Sequence, residues 1–147
     1  MKKRILIFAL LLTGISYSFA NTDDSINKRA VASFNKEFVN ARDIKWERKN
    51  GFVLATFCLN NEVMFAYYTT DGEMMAIVRN MLSDKLPIPK LLSLHKDYSG
   101  YWISNLFEIS TSEGTAYYVT VENADFKVTL KSLGDENWET YSREEKE

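Results

Sequence analysis

Two runs of eight residues, Phe52–Leu59 and Glu62–Thr69, are rich in aromatic and β-branched side chains and are separated only by Asn60-Asn61. Asparagine tolerates the positive φ that both central positions of a two-residue hairpin turn require, so the pattern predicts a β-hairpin. A turn at these two residues fixes the register: Phe57 faces Met64, Ala55 faces Ala66 and Val53 faces Tyr68. Opposed residues project to the same side of a sheet. One face therefore carries Val53, Ala55, Phe57, Met64, Ala66 and Tyr68, and the other Leu54, Thr56, Cys58, Val63, Phe65 and Tyr67. Both faces are largely apolar, which is more than a sheet with one solvated side needs. Asp71-Gly72 supplies a second turn, and Met74–Val78 a third strand.

Ahead of the hairpin, Val31, Phe34, Phe38 and Ala41 recur at helical spacing across Asn27–Asn40, with Ser25 placed to cap the helix. Ile44 and Trp46 then alternate as a first strand. Much of this pattern returns about sixty residues later. Leu86-Pro87-Ile88-Pro89 opens a second helix, where proline in the first turn removes no helical hydrogen bond. Leu91, Leu94 and Tyr98 form its stripe, and Trp102–Ile109, Thr115–Val121, Phe126–Leu130 and Trp138–Tyr141 read as strands. The expectation is an α+β fold of two tandem repeats, each one helix followed by about four antiparallel strands. The repeats span 21–82 and 83–142, with the helices on one face of the sheet and a charged tail at 143–147. A single helix wrapped by a curved sheet, as in cystatins, is the alternative; the second helix argues against it.

The first residues carry an address. Lys2, Lys3 and Arg4 precede the mostly apolar Ile5–Phe19, and Ser18-Phe19-Ala20 offers small residues before a cut after Ala20. Residues 1–20 read as a cleaved signal peptide, which makes the mature chain periplasmic or secreted. Losing three basic residues leaves it more acidic than the formal −2 of the full 147-residue sequence. That balance speaks against nucleic acid and, once the leader is gone, against an anionic membrane surface.

The residue types that carry chemistry are sparse. His95 is the one histidine and Cys58 the one cysteine, so no internal disulfide forms. The hairpin register puts Cys58 on the sheet face away from the helices, which keeps a Cys–His pair from forming. The acids show no ligand spacing and the six glycines are scattered at turns, so no metal, cofactor or phosphate-cradling loop is expected. The reading is of a protein that is not an enzyme.

Val31-x-x-Phe34-x-x-x-Phe38-x-x-Ala41-x-x-Ile44-x-Trp46, Gly51-Phe52-x-x-Ala55-x-Phe57, Asp71-Gly72, Leu86-Pro87 and Tyr98-x-Gly100-Tyr101-x-Ile103 together resemble the PepSY-like secreted proteins of Bacteroidetes. Val39 and Ser99 depart from the pattern at helix exits, where that family has proline. The resemblance implies a fold like that of the β-lactamase inhibitory protein, and a non-enzymatic exported protein that binds or inhibits another protein. It carries over no inhibitory residue.

The remaining clue is the sheet face with no helix to cover it. Leu54, Thr56, Phe65 and Tyr67 lie there in the first repeat, and Tyr118 in the second. An apolar patch left open in this way usually marks a contact site. These five residues are the candidates for binding another exported protein. The alternative is a self-associating structural component that dimerises through the same face.

Overall fold

The computed structural model describes residues 26–147. The signal-peptide reading of residues 1–20 and the proposed cap Ser25 lie outside them. The chain runs α1 (Lys28–Glu37), β1 (Arg42–Lys49), β2 (Phe52–Leu59), β3 (Glu62–Thr69), β4 (Met74–Asn80), a 3₁₀ turn (Ser83–Lys85), α2 (Ile88–Asp97), β5 (Trp102–Thr111), β6 (Gly114–Glu122), β7 (Phe126–Leu133) and β8 (Glu139–Glu145). All eight strands form one antiparallel sheet in sequence order.

The hairpin register is as the sequence predicts, with Val53 opposite Tyr68, Ala55 opposite Ala66 and Phe57 opposite Met64. Asn60 and Asn61 have φ of 52° and 66°. Both central residues at positive φ give the turn whose twist matches that of the flanking strands. Asn27 caps α1 by accepting a hydrogen bond from the Arg29 N–H at 2.8 Å, a role the sequence reading gave to Ser25.

The expectation of two tandem repeats, each a helix with its own sheet of about four strands, is corrected. β4 pairs directly with β5, Val78 opposite Ile109 and Arg79 opposite Glu108, so the sheet is continuous across the join. The physical reason lies at the strand edges. A four-stranded sheet ending at β4 leaves a row of N–H and C=O groups unpaired, and an antiparallel neighbour satisfies them. The expected tail is corrected as well: Arg143, Glu144 and Glu145 belong to β8 and pair with Val128, Lys127 and Phe126.

Three apolar clusters hold the fold. Under α1, Ala30, Phe34 and Phe38 pack on Val53, Ala55, Phe57, Ala66 and Tyr68. Under α2, Leu86 and Leu94 pack on Leu106, Val119, Val121, Val128 and Leu130. Both helices lie on one face of the sheet, because the row Met64–Arg79–Glu108–Tyr117 runs through the register between the two clusters. The third cluster, Phe65, Tyr67, Ala76 and Val78 with Phe107, Ile109, Ala116 and Tyr118, occupies the opposite face and spans the β4–β5 join.

Gly72 sets how closely the hairpin approaches α1. Its φ is +87°, and a Cβ there would sit 2.7 Å from the Ala30 backbone nitrogen and 2.9 Å from Arg29 Cβ. Gly72→Ala is expected to destabilise by more than the roughly 1–2 kcal/mol that a left-handed conformation costs an L-residue, since helix or turn must also retreat. A urea midpoint within error of the parent's would show that the turn relaxes freely.

Candidate functional site

The face without helices is built by alternation. β2 presents Leu54 and Thr56, β3 Phe65 and Tyr67, β4 Ala76 and Val78, β5 Phe107 and Ile109, and β6 Ala116 and Tyr118. Among the described residues no helix crosses this face, yet its centre is not open. Phe65 and Tyr67 are each 9% exposed and Tyr118 only 1%. The exposed patch that the sequence predicts is corrected to a second core with a rim.

The cause is the aromatic content of these strands. Tyr118 stacks on Phe107 with ring centres 5.2 Å apart and planes 4° from parallel, and Tyr141 of β8 meets it edge-on at 5.5 Å. Phe52 packs on Tyr67 at 5.6 Å. Large rings on neighbouring strands shield one another. Register shifts between Tyr67 and Tyr68 and between Thr129 and Leu130 interrupt the ladders beside these rings, as bulges that add local twist do. Burial pushes the Tyr118 phenol up to about 12, with Tyr141 adding to the shift.

Of the five candidate residues, the fold gathers Phe65, Tyr67 and Tyr118 into one cluster and packs Leu54 against it. Thr56 is half-buried and opposes Phe65 in the ladder. What the face offers to solvent is its margin: Val63, Leu133 and Tyr141 are exposed, and Leu54, Thr56 and Cys58 are partly so. Cys58 and His95 are on opposite sides of the sheet, His95 being exposed on α2.

On the helix side, the strip between the two helical clusters is polar. The Arg79 guanidinium donates to both oxygens of Glu108, Nε to Oε1 at 3.0 Å and Nη2 to Oε2 at 3.2 Å, and Nη1 reaches Glu62 at 3.5 Å. The paired bond to Glu108 favours the charged guanidinium further. Arg79, Glu62, Lys85 and Met81 also line a shallow hollow of about 360 Å³. Among the described residues no group of three or more His, Cys, Asp and Glu is arranged to hold a metal, and no helix is long and apolar enough to cross a membrane.

Sequence reasoning missed Lys90. This lysine is 6% exposed in the first turn of α2. Its ammonium donates to Ser132 Oγ and to the Glu136 carbonyl (2.9 Å), and lies against the Tyr117 and Trp138 rings at 5.5 and 5.6 Å. Trp138 Nε1 donates back to the Lys90 carbonyl at 3.0 Å. Burial pushes the Lys90 ammonium down, and the charges of Asp135 and Glu136 oppose that. Spacing carried the signal: positions 90, 94 and 98 stand four apart on one helix face, but a lysine argued for solvent.

No protein-family model matches the chain, and no curated protein sequence matches it. Solved structures do. A DUF2874 family protein from Bacteroides ovatus superposes with a TM-score of 0.73 at 14% identity, covering 86% of this chain and 89% of that one. A proposed periplasmic protein from Bacteroides eggerthii gives 0.70 at 14% identity, covering 86% and 90%. A BLIP-like protein from Bacteroides fragilis gives 0.66 at 19% identity, covering 79% and 88%. The chain therefore has the fold of these Bacteroides proteins, a BLIP-like one among them.

Proposed function

We propose that the chain is an exported, non-enzymatic protein-binding module of the periplasm that engages another exported protein through the helix-free face of its sheet. One observation carries the reading. That face has a rigid aromatic floor and an accessible apolar margin of Leu54, Val63, Leu133 and Tyr141, with Thr56 beside it. A floor of interlocked rings loses little freedom when a partner docks, and Tyr141 brings large contact area with few rotors to freeze. An ordinary interface of roughly 800 Å² per partner fits across these strands. The leader read at residues 1–20 and the superposition on a proposed periplasmic protein and on a BLIP-like one support the compartment and the class. The PepSY-like resemblance points the same way.

The accessible margin, not the floor, is the place to test. Thr56→Glu with Val63→Glu puts two charges on the face and leaves the buried rings alone. The double variant is expected to keep the parent's melting temperature and to lose, after cross-linking in the exported fraction of producing cells, a protein that the parent retains. A parent that cross-links to nothing, or a variant that keeps every association, sinks the reading. A parent that sediments as a dimer and a variant that sediments as a monomer would replace it with self-association through the same face.

A further inference from the structure

The two edges of the sheet are held in different ways. β1 is anchored by Trp46, whose ring meets Phe34 at 5.4 Å and Tyr68 at 5.8 Å within the α1 cluster. β8 sends no buried side chain into any cluster. Beyond its ladder to β7 and two ring contacts along its length, it is caught at its two ends. In the lead-in to the strand, Lys90 grips the Glu136 carbonyl and the Trp138 ring. At its far end Lys146 does the same with other partners: its ammonium donates to the Asn123 carbonyl at 2.9 Å, pairs with Glu122 at 2.7 Å and lies over the Trp102 ring at 4.7 Å. Each end is thus closed by a lysine set between a tryptophan ring and a backbone carbonyl. Between them, Tyr141 lies on Tyr118 and Arg143 on the Phe126 ring at 4.0 Å.

We infer that β8 is a strap that opens as one unit, ahead of the rest of the sheet, when its lysine catches release. Opening takes no buried residue out of the three apolar clusters; it costs them only flanking contacts, Tyr141 on Tyr118 and Trp138 against the α2 cluster. A segment with few buried apolar contacts and a solvent-facing ladder belongs to the low-stability end of a fold. Its release strips the Tyr141 ring from Tyr118 and bares the outer edge of β7, a row of N–H and C=O groups ready for another strand. The strap therefore governs access to one side of the helix-free face. This holds whether or not that face binds a partner.

Hydrogen exchange on the full chain tests the inference. The β8 amides, and those β7 amides that point at β8, are expected to exchange at one common rate. That rate should be at least ~tenfold faster than the rate of β7 amides pointing at β6. Lys146→Ala should speed this group alone and leave β2 and β3 unchanged. Rates that rise smoothly towards Glu145 describe a fraying end and overturn the strap. So do β8 amides as slow as those facing β6. An unchanged β8 rate in Lys146→Ala, or a rise shared by every strand, overturns the catch.

Discussion

Replacing Phe34 with alanine is expected to cost about 3–5 kcal/mol, the range for removing a fully buried aromatic ring. Phe34 is completely buried and is the hub of the α1 cluster. Its ring meets Phe57 at 4.8 Å, Phe38 at 5.0 Å and Trp46 at 5.4 Å, so no neighbour can move into the space without breaking another ring contact. A domain of this size is held by roughly 5–15 kcal/mol, which leaves the variant with a fraction of its stability. Urea unfolding followed by tryptophan fluorescence reads the loss. A midpoint close to the parent's would mean that α1 contributes little to holding the first four strands.

Tyr118→Ala is expected to cost about as much, but on the other side of the sheet. The helix-free cluster is the one apolar group that spans the join between β4 and β5, and Tyr118 is among its largest fully buried members. Its loss takes the stacking partner from Phe107 and the contact from Tyr141. If the ring were a solvent-facing contact residue, the substitution would leave the unfolding midpoint unmoved. Alkaline titration gives a second readout in the parent. Burial, with a contribution from the Glu37 charge, pushes the Tyr68 phenol up to about 12, and burial and Tyr141 do the same for Tyr118. Raised folded-state values mean that the fold favours the neutral phenol. The associated stability is fully present below the ordinary value of 10 and is lost as the pH climbs from there to about 12. While the protein stays folded, these two tyrosines should therefore yield phenolate absorbance near pH 12, later than exposed phenols with the ordinary value of 10. Ionisation of all tyrosines together around pH 10 in a folded protein would contradict their burial.

The local elements were legible because single residues specify them. Asn60-Asn61 fixes the hairpin turn, and from it follow the β2–β3 register and the side of the sheet that Phe57 and Phe65 each take. Phe34 and Leu94 declare their helices by spacing. The joins were not legible. Nothing in Met74–Asn80 states which strand its outer edge will meet, because backbone pairing carries no residue signature. β8 was cut short in the sequence reading since Arg143, Glu144 and Glu145 look like a solvated tail, and an edge strand tolerates charge on both faces. The candidate site was half legible: alternation placed Leu54, Phe65, Tyr67 and Tyr118 on one face. Alternation says nothing of which rings meet on neighbouring strands, so it could not tell that Tyr118 would be covered by Phe107 and Tyr141. Lys90 was hidden by its charge.

The strand order bears on how such a chain reaches its fold. Each strand pairs only with its neighbours in sequence, and among the strand-to-strand connections only the one from β4 to β5, through α2, runs over the face of the sheet. The closing of loops is the slow, entropically costly part of assembling β structure, and here each closure involves a neighbour in sequence. The first four strands have their partners and α1 to pack on before β5 to β8 join them. The rings that will join the halves, Phe65 and Tyr67, then lie waiting on that partial sheet as an exposed apolar surface. The interval before Phe107 and Tyr118 arrive is the time at which the chain is most prone to associate wrongly.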